Sequence, residues 1–372
     1  APPPEPEDAL WHGESPSLAE LRDQVGADEV RPAQEIAAEG CHVLPIADPS
    51  QRVESPSAEL IAAVIEQRLC RDDHEIGAMR RAISVTSRAH CAAMKATRPG
   101  LRDIEIQAII EQVFGSAGMT SAYPSIVTKR GEVLHGHAEG LTLEPGDLLL
   151  VDAGAEEPGG YAADVTRTWP VSGRFTARQR AVYDAVLAAQ QASIALCRSG
   201  VRYRDVHLAS ARVLAQFALD EGLLRGELDG LVAAGAHAVL FPHGVGHLIG
   251  LDVHDMELYG DAVGYPEGRR RSGQFGLSFL RLDRDLQPGM VVTVEPGIYL
   301  VPTILRDVAL RERLGDSVDW DRLASWLPFG GVRIEDDILV TEDAPDVLSA
   351  EVPSSPDEVE ALVGTTPLLS EA

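Results

Sequence analysis

An α+β fold follows from the order in which two kinds of pattern run along this chain. Apolar residues at helical spacing occur in two pairs of stretches, and each pair is followed by strand-like apolar runs punctuated by Gly and Pro turns. Two helix pairs, each followed by strands, describe a sheet domain built from two related halves. No repeat is visible in the residues themselves.

The opening APPPEPEDA is Pro-rich and acidic and reads as an extended surface segment. Leu18–Val25 reads as a short helix and Cys41–Ile46 as a strand. The pattern changes at Asp73, where DHEIGAMRRAISVTSRAHCAAMKA has helical spacing until RPG at 98–100 stops it. A boundary near residue 73 therefore separates a short N-terminal domain over 1–73 from a main domain over 74–372. Leu101–Phe114 completes the first helix pair. Strand-like runs follow at Ala122–Thr128, at Asp147–Asp152 after EPG, and at Ala163–Trp169. Thr176–Arg198 and Asp205–Leu224 form the second pair, and strands return at Val291–Val294, Ile298–Leu300 and Val332–Val340.

Composition bounds what such a chain can do. Its 372 residues are 45% hydrophobic and 24% charged, ordinary for a globular protein and long enough for two domains. With 32 basic against 58 acidic residues, the net charge is −26. That surface repels phosphate backbones and anionic membranes, so neither nucleic acid nor a membrane is an expected partner. Cys41, Cys70, Cys91 and Cys197 are irregularly spaced without a CxxC pair, which points to reduced thiols and a cytoplasmic setting. No apolar run approaches the roughly eighteen residues of a membrane span, and no signal peptide is read at the start.

The chemistry is announced by carboxylates standing where apolar strands should be. LLLVDAG sets Asp152 at the end of a buried-looking strand, and YAADVTRT puts Asp164 inside another. VVTVEPG places Glu295 at a strand end before a Pro-Gly turn, and GGVRIEDDILV places Glu335 within a third strand. A carboxylate among Val, Leu and Ala is costly to bury unless it is paired or bound to a cation. Between them, HGVGHLIGLDVH holds His243, His247 and His254. Two Asp, two Glu and one His make an oxygen-rich donor set suited to two divalent ions such as Mn²⁺, Co²⁺ or Zn²⁺. Such a pair ionises water at neutral pH and polarises the carbonyl it attacks, giving hydrolysis without a protein nucleophile.

Each residue also has an ordinary explanation. An Asp at a strand end commonly caps a turn, Glu335 could pair with Arg333, and any of the histidines could be a satisfied core residue. Jointly, five such residues in apolar contexts are hard to explain as decoration. RRR at 269–271 reads as a solvated loop. The chain has no phosphate-binding GxxxxGK[ST], no strand-to-helix GxGxxG and no GxSxG nucleophile elbow.

These residues resemble the metallopeptidase family that contains methionine aminopeptidase, aminopeptidase P and prolidase. VLHGH, VDAGAE, DVTRTWP, HGVGHLIGLDVHD, LQPGMVVTVEPGIY and GGVRIEDDILVT occur in the family's order, from about residue 74 to 362. DVTRTWP and LDVHD look like the proline-specific branch. The resemblance implies a pita-bread catalytic domain, with a short, partial N-terminal α/β domain where the family has one about twice as long. It implies that Asp152, Asp164, His247, Glu295 and Glu335 ligate two divalent ions, Mn²⁺ first, and that Glu295 also shuttles a proton to the leaving nitrogen. His135 would stand beside the scissile region with His137 as its rival, and His254 would hydrogen-bond the scissile carbonyl. His243 would line the proline pocket, and Arg333 would orient a ligand carboxylate or the substrate.

Two substrate classes follow, Xaa-Pro dipeptides or longer Xaa-Pro peptides, with a homodimer as the expected assembly. The segment ELYGDAVGYPEGRRRSGQFGLSFLRLDRD resembles prolidase and contains Arg281, fourteen residues before Glu295, where prolidases use an arginine to clamp a C-terminal carboxylate. The Xaa-Pro dipeptidase is therefore expected before aminopeptidase P. The ordinary alternative for Arg281 is a solvated loop, paired with Asp283 or Asp285. A methionine-type aminopeptidase lacks support from the proline-branch motifs, and a non-catalytic peptide-binding relative is disfavoured by the intact ligand set.

Overall fold

The computed structural model describes residues 17–26, 28 and 58–366; the Pro-rich opening and the strand expected at Cys41–Ile46 lie outside them. The chain divides into two compact units, Ala1–Val64 and Ile65–Ala372. In the first, helix α1 (Leu18–Val25) starts at a capping box between Ser17 and Glu20 and stops at Gly26, whose φ of 65° ends the helix in the left-handed region. Helix α2 (Ala58–Leu69) leads into the second unit.

The second unit is built in two halves, as the sequence leads one to expect. Helix α3 (Asp73–Ala96) begins at Asp72, which forms a capping box with Glu75, and packs on α4 (Asp103–Ser116). Val85, Ala89 and Ala93 of α3 and Ile106, Ile110 and Phe114 of α4 bury their apolar faces against Val127, Leu149, Val151 and Trp169 of a sheet. That sheet is antiparallel, with order β2 (Ile126–Thr128), β3 (Leu148–Asp152) and β5 (Thr166–Pro170); β1 (Thr120–Ser121) and β4 (Ala155–Glu156) pair beside it. The second half repeats the scheme. Helices α5 (Ala177–Ile194) and α6 (Tyr203–Asp220) pack closely, and Ser193 donates to the Val206 carbonyl at 2.7 Å across their contact. Strands β6 (Val291–Val294), β7 (Gly297–Tyr299), β8 (Gly331–Arg333) and β9 (Asp336–Leu339) follow, with β10 (Asp346–Val347) on the edge of β9. No described helix is long and apolar enough to cross a membrane.

Two strand expectations are corrected. Asp164 does not lie inside a strand but in the connection just before β5. Glu335 does not lie inside a continuous Val332–Val340 strand, because residues 334–335 interrupt it. The register shows why. Gly297 pairs with Arg333, and Val294 pairs with Asp336, so Glu295–Pro296 and Ile334–Glu335 are matched two-residue breaks on facing strands. Pro296 has no N–H to give to a ladder. Glu295 N–H instead donates to the Val245 carbonyl at 2.7 Å, and Glu335 N–H to the Thr166 carbonyl at 3.0 Å. The exchange of partners links the two halves through β5 and β8, where Thr168 Oγ1 donates to the Arg333 carbonyl at 3.0 Å.

Candidate active site

Both breaks open onto one cavity of about 710 Å³, and all eleven residues singled out from the sequence line it. Asp152 arrives from the end of β3, opposite Thr166. Asp164 is brought back to it by a tight return: Ala153 N–H donates to the Val165 carbonyl at 3.1 Å, and a Cβ on Gly154 would lie 1.7 Å from the Ala163 carbonyl oxygen. Only glycine allows that approach. His247 follows Gly246, where a Cβ would meet the Thr293 carbonyl oxygen at 2.2 Å, so this loop lies directly on β6.

Ligand-capable atoms of Asp164, His247 and Glu335 come within 4.8 Å of one another, and all three residues are buried. His247 Nδ1 lies 3.0 Å from the Leu248 carbonyl. A carbonyl only accepts, so Nδ1 carries the proton and Nε2 faces Asp164 Oδ2 at 3.5 Å and Glu295 Oε1 at 3.9 Å. Glu335 accepts from Thr166 Oγ1 at 2.7 Å. Asp152 accepts from Arg333 Nη2 at 2.5 Å, and the Tyr123 hydroxyl lies 2.6 Å from Asp152 Oδ1 and 2.5 Å from Asp164 Oδ1. Arg333 thus pairs with Asp152, not with Glu335, while its Nε reaches Thr166 Oγ1 at 3.0 Å.

The electrostatics show a shortage of positive charge. Burial pushes the Asp164 carboxyl up, and it lifts Glu295 to about 7 against the pull of His247 and Arg333. Burial, then the charges of Asp164 and Glu295, raises Glu335 well above the carboxylate range. Burial pushes the His247 imidazole down, but Asp164 and Glu295 outweigh it and hold it up at about 9. Four carboxylates around one arginine and one imidazole are stable as anions only if further cations join them. The donor set, oxygen-rich with one Nε2 turned inward by a backbone carbonyl, fits divalent metal ions.

The other side chains form the walls. His243 Nδ1 donates to the Gly244 carbonyl at 2.7 Å, so its Nε2 accepts from the Tyr299 hydroxyl at 2.9 Å, which in turn accepts from Arg333 Nη1 at 3.3 Å. Phe241 and Tyr299 hold the His243 ring at centroid distances of 4.9 and 5.3 Å, and burial lowers this imidazole to about 3. His254 lies edge-on to His247 at 4.5 Å; burial, then the charges of His247 and Arg281, lowers it to about 3. Arg281 Nη1 is 3.4 Å from His254 Nδ1. An arginine can only donate, so Nδ1 accepts and His254 carries its proton on Nε2. His135 and His137 both line the cavity, and the charge of His135 acts on His243 and His254.

The RRR triplet lies in an irregular segment with Arg270 and Arg271 exposed, as the solvated-loop reading expects. Arg269 pairs with Asp285 at 2.7 Å, and Arg271 pairs with Asp261 at 2.6 Å and donates to the Leu280 carbonyl at 2.6 Å, so two arginines of the triplet tie the insertion together. Asp283 is taken by Arg202 at 2.5 Å. Arg281 is left to pair with Glu257 Oε2 at 2.5 Å. Sequence reasoning missed Tyr123 and Glu257. Tyr123 stands in the strand-like run Ala122–Thr128, just before β2, where a phenol among apolar residues is a weak signal; Glu257 is one acid among many in a polar insertion.

Buried acid in need of divalent cations, beside a cavity walled by histidines, defines a metal-dependent hydrolase. The comparisons agree. The sequence pattern of metallopeptidase family M24 matches residues 77–342, and the chain belongs to that family. A human Xaa-Pro dipeptidase is 33% identical over 385 residues, covering 95% of this chain and 76% of the relative. An Xaa-Pro aminopeptidase from Escherichia coli K12 is 37% identical over 305 residues, covering 81% of this chain but only 60% of the relative, less than two thirds of its length. The structure of an aminopeptidase from Pseudomonas aeruginosa superposes with a TM-score of 0.75 at 32% identity, covering 96% of this chain and 80% of that one.

Proposed function

We propose that this chain is a two-metal exopeptidase that hydrolyses the Xaa-Pro bond at a peptide N-terminus, acting first as an Xaa-Pro dipeptidase. The observation that carries the dipeptide reading is Arg281, a guanidinium on the cavity wall 3.4 Å from His254. A fixed cation there matches the free carboxylate of a C-terminal proline. The family resemblance and the human relative, an Xaa-Pro dipeptidase, support the same reading.

Asp152, Asp164, His247, Glu295 and Glu335 would hold the ions, Mn²⁺ first and Co²⁺ or Zn²⁺ as alternatives, with Arg333 holding Asp152 in place. Bound there, divalent ions supply Lewis acidity that polarises a carbonyl and makes water acidic. The remaining work falls to side chains. Glu295, whose side chain is more open than that of Glu335 at 18% exposure, takes the proton of the attacking water and delivers it to the prolyl nitrogen. His254 presents its Nε2–H to the carbonyl oxygen as negative charge develops. His243, fixed between Phe241 and Tyr299, lines the proline pocket, and His135 stands at the scissile region. A cytoplasmic homodimer completes the reading.

Aminopeptidase action on longer peptides is the second reading, and one observation favours it: Glu257 already occupies Arg281. Turnover of Ala-Pro against Ala-Pro-Ala by Mn²⁺-loaded protein decides between them. Faster dipeptide turnover is expected; cleavage of the tripeptide alone would move the second reading ahead.

A further inference from the structure

Glu257 has no part in the roles above, yet it stands on the same cavity wall. It opens a 3₁₀ turn, Glu257–Tyr259, immediately after Met256, whose φ of 62° is the one positive value outside glycine among the described residues. Met256 is fully buried, so packing holds this unfavourable backbone and aims the next side chain at the cavity. Glu257 Oε2 accepts from Arg281 Nη1 at 2.5 Å and lies 3.9 Å from His254 Nδ1. Its Oε1 is buried with no hydrogen-bond partner among the described residues. An ionised carboxylate with one oxygen shut off from water and unpaired is poorly stabilised. It is a contact that a competing carboxylate can replace.

We infer that Glu257 is an internal stand-in for the substrate carboxylate: it holds Arg281 until a dipeptide arrives, and so sets the balance between dipeptides and longer peptides. The inference rests on the reading of Arg281 as the carboxylate clamp. A dipeptide brings its carboxylate to a guanidinium that already has an anion, and the two like charges repel at close range. A tripeptide presents a peptide carbonyl at that place, so the Glu257–Arg281 pair stays closed. The insertion therefore tunes the dipeptide preference without altering the proposed metal ligands.

The test compares metal-loaded wild-type protein with Glu257→Gln on Ala-Pro and Ala-Pro-Ala. Glutamine keeps the shape and removes the charge. The ratio of kcat/KM for Ala-Pro to that for Ala-Pro-Ala is expected to rise about tenfold, equivalent to about 1.4 kcal/mol, through a lower KM for the dipeptide. An unchanged or lower ratio overturns the inference. Glu257→Asp, whose shorter arm draws the carboxylate back from Arg281, should move the ratio the same way, and it serves if Glu257→Gln folds poorly; a wild-type ratio there overturns the inference as well. Arg281→Ala separates the two levels. If it leaves the ratio unchanged, the clamp reading fails and takes the inference with it. If it collapses the ratio while neither Glu257 variant raises it, only the role of Glu257 is lost.

Discussion

Arg71 and Asp255 form an ion pair from which water is excluded, with side chains 2% and 0% exposed. Asp255 also accepts from Arg68 at 2.5 Å, and its N–H returns to the Leu248 carbonyl at 3.0 Å, closing the loop that carries His254. Arg71 reaches the Ile249 carbonyl at 3.0 Å, and a Cβ on Gly250 would lie 2.4 Å from its Nη2, so the loop is built around this guanidinium.

Arg71→Ala should therefore act on stability and catalysis together. It leaves a buried carboxylate with the partly exposed Arg68 as its remaining cation, beside the Asp252 N–H, a loss that typically costs about 3–5 kcal/mol. Urea unfolding measures that term, and steady-state kinetics should show kcat falling more than KM rises, because His254 is the next residue. A loss below about 1 kcal/mol with unaltered kcat would show that the pair does not hold the loop.

Metal content tests the proposed ligand set. Chelation should abolish peptidase activity, and Mn²⁺ or Co²⁺ should restore it. Asp152→Asn removes the charge that faces Arg333 and Tyr123 and should empty at least one metal position, as read by elemental mass spectrometry. Wild-type metal content and turnover in that variant would sink the assignment. Metal should also raise the thermal midpoint, by about 2.7 kcal/mol of stability at a hundredfold excess over Kd, since cations relieve the buried carboxylates.

His254→Ala separates a hydrogen-bond donor from a ligand. Loss of a donor to the developing oxyanion should lower kcat on the order of 10²–10³-fold, with both ions retained, because His247 alone supplies the ligating imidazole. Loss of metal would instead make His254 a ligand.

Acid should destabilise the protein through histidines that are not among the proposed metal ligands. His237 is buried, its ring nitrogens have no hydrogen-bond partner among the described residues, and burial lowers it from 6.5 to about 4. Burial pushes the neighbouring His207, 5.9 Å away, well down too. Between pH 6.5 and about 4 the unfolded chain binds a proton that folded His237 refuses. Stability is thus fully present above 6.5 and is lost as pH falls toward 4, on the order of 3 kcal/mol for this group. His237→Leu removes one of the two buried imidazoles and should reduce the fall of the urea midpoint between those pH values; an unchanged slope would assign the effect elsewhere.

Acids in apolar runs are a local signal, because water is removed from them wherever the run is buried. LLLVDAG and VVTVEPG therefore sufficed to place Asp152 and Glu295 at strand ends, and the helix pairs were readable from spacing that each helix carries within itself. The backbone around Asp164 and Glu335 was not readable in the same way. Their strands stop because hydrogen-bond partners change between distant segments, as when Glu335 N–H turns to the Thr166 carbonyl. No window of neighbouring residues contains that exchange. Arg281 shows the same limit for charge. Sequence offers it Asp283 and Asp285, two and four residues on, but Arg202 and Arg269 reach those first, and the strained turn at Met256 delivers Glu257 instead. Pairing goes to the acid that the fold brings within about 3 Å, and distance along the chain does not enter.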